Sequence, residues 1–197
     1  MTDFLTLLKH RRSERAFGAG RIARSDVERL LFAAQGKTGA PDKRTIPSAH
    51  GLNPLRLSLT AGAVDGLETG LYAVDPASLA LEIEERSDIR AALESAAIDD
   101  QPWIGASAAI ITISADFGAL ATHFADQPGL GMRGTRYGLI EAGACAQTMH
   151  LAACDLGLSS IVIAGINEDA TAQVLGLKAP VAPIVHVCIG PPSAASG

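Results

Sequence analysis

Arg11-Arg12-Ser13-Glu14-Arg15 gathers three guanidiniums and a hydroxyl within five residues. A guanidinium presents its donors as a planar fork that matches the oxygens of a phosphate or a carboxylate, so the stretch is a candidate anion cradle. A solvated basic helix end, complementing the negative end of the helix dipole, would look the same from this stretch alone. Just before it, Phe4, Leu7 and Leu8 recur at helical spacing after Thr2 or Asp3, which places the fork at the end of a short first helix.

Beyond the fork, a second helix is predicted from Ser25, with Ser25 and Glu28 as a capping box and Val27, Leu30, Leu31 and Ala34 as its buried face. Over residues 36–54 periodicity vanishes and Gly, Pro, Lys and Arg take over; a loop of this length in a compact domain is commonly functional. Leu55, Leu57 and Leu59 then alternate with Arg56, Ser58 and Thr60, and short strands at 71–74 and 79–83 follow across turns, so a small antiparallel meander is expected. Residues 88–97 form a short predicted helix and 108–113 a buried central strand. Residues 137–155 form a long helix turning Leu139, Ala142, Cys145, Ala146, Met149, Ala152 and Ala153 inward, ended by Gly157. A strand at 161–164, a helix capped by Asn167 with Ala170, Val174 and Leu175 on one face, and a strand at 184–189 complete the pattern. Residues 118–134 show no convincing period. With no internal repeat and no linker, residues 1–197 are expected to form one domain.

The chain is 48% hydrophobic, 19% charged and 4% aromatic, with 20 glycines. That suffices for a sizeable core, packed by small side chains in place of rings, as in an Ala-rich α/β protein. The net charge of -5 hides a split: residues 1–56 carry eight Arg and three Lys against five acids, or +6, and residues 57–197 carry five cations against sixteen acids, or -11. An anionic partner near the N-terminal part is implied, but the overall acidity and the lack of interleaved aromatics argue against nucleic acid. No apolar run approaches the roughly 18 residues of a membrane span and no signal-peptide pattern is present, so a soluble, cytoplasmic protein without membrane attachment is expected. Cys145, Cys154 and Cys188 are odd in number and lack CxxC spacing, which predicts buried free thiols. The five histidines have no metal spacing, GxSxG, P-loop and GxGxxG motifs are absent, and His150 is expected as a packed or rim residue.

Two more segments are chemically suggestive. Pro47-Ser48-Ala49-His50-Gly51-Leu52-Asn53-Pro54 has small residues that let backbone amides approach a flat ligand, or it is simply a turn. Val162-Ile163-Ala164-Gly165 is a strand-to-loop junction whose glycine either exposes backbone to a ligand or serves the turn.

With these three segments in this order, the chain resembles the FMN-dependent nitroreductase family, and more closely its branch related to the dehydrogenases that oxidise azoline rings in ribosomal peptides. Ala63 to Tyr72 and on through Leu81-Glu82, then Gln101, then Arg133-Gly134-Thr135-Arg136-Tyr137 through Glu141-Ala142-Gly143 and Gln147 extend the resemblance over nearly the whole chain. It implies an α+β fold with a central, mostly antiparallel sheet wrapped by helices, a homodimer, and FMN at the subunit interface. Arg11, Arg12, Ser13 and Arg15 would hold the phosphate and the pyrimidine edge. Pro47, Ser48, Ala49 and Gly51 would come from the second subunit, Gln101 would reach the polar rim, and the Ala164-Gly165 backbone would face the N5 region. The implied activity is hydride transfer through the flavin between NAD(P)H and a small organic substrate, with no side-chain nucleophile. The alternative is a catalytically silent flavin-fold subunit of a peptide-maturation complex.

Two departures from the family pattern bear on this. Gly129-Leu130 stands where azoline dehydrogenases carry a Lys-Tyr pair. The chain stops at Pro191-Pro192 and residues 193–197, where many relatives add a further basic residue, so the phosphate would rest on the N-terminal arginines, with Arg133 or Arg136 as further candidates.

Overall fold

A computed structural model describes residues 3–39, 43–127 and 132–194; Gly129-Leu130 lies outside them. Six strands form one sheet: β1 (Leu55–Ala61), β2 (Gly70–Val74), β3 (Leu81–Glu85), β4 (Ala109–Asp116), β5 (Ser159–Ile163) and β6 (Val181–Gly190). Their order is β3-β2-β1-β4-β6-β5. Every pairing between them is antiparallel. The fold is thus α+β, correcting the α/β class that composition suggested: an Ala-rich, ring-poor core constrains side-chain size but not strand direction.

Seven α-helices accompany the sheet among the described residues: α1 (Phe4–His10), α2 (Arg24–Gln35), α3 (Arg90–Ser95), α4 (Trp103–Ala106), α5 (Phe117–His123), α6 (Arg133–Asp155) and α7 (Glu168–Val174). None is long and apolar enough to cross a membrane. Alternation along the strands gives each sheet face its own core. Leu55, Leu57 and Leu59 of β1, Ile111 and Ile113 of β4, and Val185 and Val187 of β6 pack with α2 and α6, whereas Ile110 of β4 and Cys188 of β6 face the side of Leu93 and Ile104 from α3 and α4. Both faces are covered, so Thr60 and Thr112 are buried although polar.

Some local expectations fail for identifiable reasons. Helix α2 begins at Arg24 behind an Ala23 cap without a side-chain bond. Ser25 is already helical, and Glu28 is taken by Arg24 Nε at 2.9 Å, so no capping box forms. Leu139 points outward at 49% exposure while Ala142, Cys145, Ala146, Met149 and Ala153 are buried. The short helices α4 and α5 had no periodic signal because each buries a single large residue, Ile104 and Leu120 respectively. Helix α5 is instead started by Asp116, whose carboxylate accepts from the Ala119 N–H at 2.8 Å. Gly157, at φ 70, closes α6 as expected, with the Leu158 N–H reaching back to Ala153 O at 2.9 Å.

Candidate flavin site

Past α1 the chain leaves helical geometry and runs beside β5, held by the Glu14 N–H donating to Ser160 O at 3.0 Å. Extended backbone sends alternate side chains to opposite sides. Arg11 and Ser13 therefore line one hollow of about 340 Å³, together with Leu139, Gly143, Ala146, Gln147 and His150 of α6, Val162 and Ala164, and Ile184 and Val185 of β6. Arg12 and Glu14 line a second, smaller hollow of about 140 Å³ behind it, with His10, Cys154 and Ser160. The structure thus divides the basic fork. Arg12 Nη1 donates to Lys9 O at 2.7 Å and to Arg11 O at 2.9 Å, away from the larger hollow.

The larger hollow has a polar end and an apolar wall. At the polar end Arg11 Nη1 donates to His150 Nε2 at 2.8 Å. His150 Nδ1 in turn meets Ser160 Oγ at 2.7 Å. Burial, and then the charge of Arg11, push the His150 pKa down to about 4, so the ring is neutral at pH 7. Arg15 stands farther along the segment with its guanidinium carbon 5.4 Å from the centre of the Trp103 ring. Gln101, just before α4, donates from Nε2 to Ile98 O at 2.8 Å and to Gly165 O at 2.7 Å, which ties it to the Ala164-Gly165 junction at the rim of the hollow. Its orientation is thereby fixed, and its side-chain carbonyl is left as an acceptor.

The Pro47–Gly51 loop does not line this hollow within one chain. It is docked elsewhere on α6, where the Ala49 N–H donates to Glu141 Oε1 at 2.7 Å. Desolvation pushes the Glu141 pKa upward, against the lowering effect of bonds from Ala49 and Ser48. Ser48 Oγ accepts from the Asn53 N–H at 2.8 Å, and His50, Gly51 and Asn53 all take left-handed φ values of 53, 68 and 50. The loop is consequently a shaped, anchored element with Pro47, His50 and Gly51 exposed. The sequence left His150, Gln147 and Trp103 out of the candidate set. A histidine on a long helix nine residues before a Ser-Ser strand start carries no motif, and only the folded chain brings Arg11 to it.

The nitroreductase family model matches residues 8–191. A protein of Methanocaldococcus jannaschii that carries a provisional nitroreductase name is 27% identical over 172 residues, covering 87% of this chain and 83% of that one. Among solved structures, a chain from Ralstonia eutropha, also provisionally named a nitroreductase, superposes with a TM-score of 0.81 at 23% identity, over 98% of this chain and 84% of its own. A chain of the Escherichia coli microcin synthetase McbBCD complex with truncated pro-MccB17 bound superposes with a TM-score of 0.73 at 23% identity, over 92% and 71%. With one antiparallel sheet, a basic segment laid along its edge and a family match that spans both, the chain belongs to the nitroreductase family.

Proposed function

We propose that this chain is an FMN-dependent oxidoreductase that works as a homodimer and passes a hydride between NAD(P)H and a small organic substrate. The observation that carries the proposal is the hollow whose polar end, the Arg11 guanidinium and the Ser13 hydroxyl, continues into an apolar wall of Leu139, Ala146, Val162 and Ile184. A flavin phosphate fits the first and a flat ring the second, so the residues present suit the group. FMN, when bound, supplies the hydride-carrying position. The chain supplies the rest: Arg11 and Ser13 bind the phosphate, Arg15 and the Gln101 carbonyl address the polar rim, and the Ala164-Gly165 backbone backs the reacting edge. The Pro47-Ser48-Ala49-Gly51 loop of the second subunit covers the ring and excludes water. Arg12 serves the fork through the backbone of Lys9 and Arg11.

Purified protein should be yellow, or turn yellow on addition of FMN, and bleach with NADH or NADPH under anaerobic conditions. A colourless chain that will not take up FMN refutes the proposal. The second reading, a catalytically silent subunit of a peptide-maturation complex, draws on the microcin synthetase chain as a fold relative. It predicts bound FMN that neither nucleotide bleaches, and co-purification with a partner protein.

A further inference from the structure

Arg11 is the charged end of the hollow, yet among the described residues no carboxylate is paired with it. A guanidinium has only donors. In the 2.8 Å contact with His150 the Nε2 atom must therefore accept, which leaves the ring proton on Nδ1 and directs it to Ser160 Oγ at 2.7 Å. One tautomer satisfies both contacts. The same Ser160 accepts the Glu14 N–H through its backbone carbonyl, so a single residue of β5 fixes the basic segment twice, once by the main chain and once through the His150 ring. His150 is 2% exposed and sits on α6, the longest helix, so it has little freedom to turn.

We propose that His150 is a positioning residue for anion recognition: its neutral Nδ1–H tautomer, oriented by Ser160, holds the Arg11 guanidinium toward the hollow without cancelling its charge. This rests on the flavin reading for the identity of the anion, an FMN phosphate, but the tautomer and its dependence on Arg11 stand apart from it. The charged and titratable groups around the ring are Arg11 on one side and His10, Arg12, Glu14 and Cys154 around the smaller hollow on the other. A carboxylate in place of the imidazole would hold Arg11 as well and weaken its pull on an anion, since a neutralised pair attracts a third charge far less.

The test compares FMN with riboflavin, which lacks the phosphate, by quenching of flavin fluorescence in the full-length protein. His150→Leu should weaken FMN binding about tenfold or more, as loss of one oriented charge-assisted contact does, and leave riboflavin binding unchanged. His150→Gln, whose amide oxygen can accept from Arg11, should recover most of that loss. In an Arg11→Leu background, His150→Leu should have little additional effect. Equal weakening of both flavins, or additive effects of the two substitutions, overturns the proposal by reducing His150 to a packing residue. Nitrogen NMR of the flavin-free protein provides an independent measurement: an unprotonated Nε2 on His150 at pH 7 whose resonance moves in Arg11→Gln is expected, and a protonated Nε2 overturns it. If the wild type binds no FMN at all, the flavin reading fails while the NMR result still decides the role of His150.

Discussion

His186 makes stability depend on pH in a range where few other side chains titrate. It is fully buried in β6, where Nδ1 meets Thr112 Oγ1 at 2.8 Å and Nε2 has no hydrogen-bond partner among the described residues. Burial pushes its pKa from the ordinary 6.5 down to about 4. Between those two values the unfolded chain binds a proton that the folded chain refuses, so stability rises with pH; the contribution is complete above pH 6.5 and is lost as pH falls toward 4. The shift corresponds to about 3 kcal/mol, at roughly 1.4 kcal/mol per pH unit, or a fall of roughly 6–12 °C in Tm for a chain of this size. His150, with the same lowered value, adds in the same direction. Glu141 opposes both, because desolvation raises its pKa and so favours its protonated form in the folded state. Asp75 and Asp88, lowered from 3.8, act below this range. Urea unfolding of the flavin-free protein at pH 7 and pH 4.5 should show the loss, and His186→Leu should abolish most of one histidine's share of it. An unchanged pH dependence in His186→Leu would refute the assignment of a buried, neutral ring.

Two further outcomes follow from packing. A Cβ on Gly134 would lie 2.5 Å from Leu120 O, a backbone atom of α5 that cannot swing aside; Gly134→Ala should therefore cost about 1–3 kcal/mol in urea unfolding by forcing α6 away from α5. The outer face of α6 leaves Leu139 and Ile140 exposed, the second at 62%. If that face joins two subunits, Ile140→Glu should turn a dimer into a monomer in sedimentation, with the monomer remaining folded by circular dichroism.

Much of the fold was legible because its signals are local. Leu55, Leu57 and Leu59 alternate, and Val27, Leu30, Leu31 and Ala34 keep helical spacing, so β1 and the buried face of α2 could be read directly. Leu139 was misassigned because the helical period identifies an apolar stripe but not what covers it, and this part of the stripe faces out of the chain. The candidate site was legible as a set of segments, not as a geometry. The fork at 11–15 seemed one cluster in sequence; an extended backbone divides it, and nothing in its composition distinguishes Arg11 from Arg12. The bond from Gln101 to Gly165 O joins positions 64 apart, beyond any periodic signal.

The charge split of the sequence acquires a physical meaning in how seven of the eight arginines in residues 1–56 are held. Arg21 pairs with Asp65 and Arg24 with Glu28, and these are neutralised at the surface. Arg12, Arg44 and Arg56 donate to main-chain carbonyls of Lys9, Gln35 and Asn53. Arg11 and Arg15 are held differently, each by an uncharged ring, the imidazole of His150 and the indole of Trp103. A ring contact restricts a guanidinium while leaving its full positive charge, and most of its donors, available to a ligand. A carboxylate contact would give the same restriction and remove the charge. The excess of +6 in residues 1–56 is therefore less informative as a total than as a distribution. Two of these arginines are neutralised by carboxylates, and the two that are oriented by rings lie along the segment that borders the hollow, where an anion has most to gain from them.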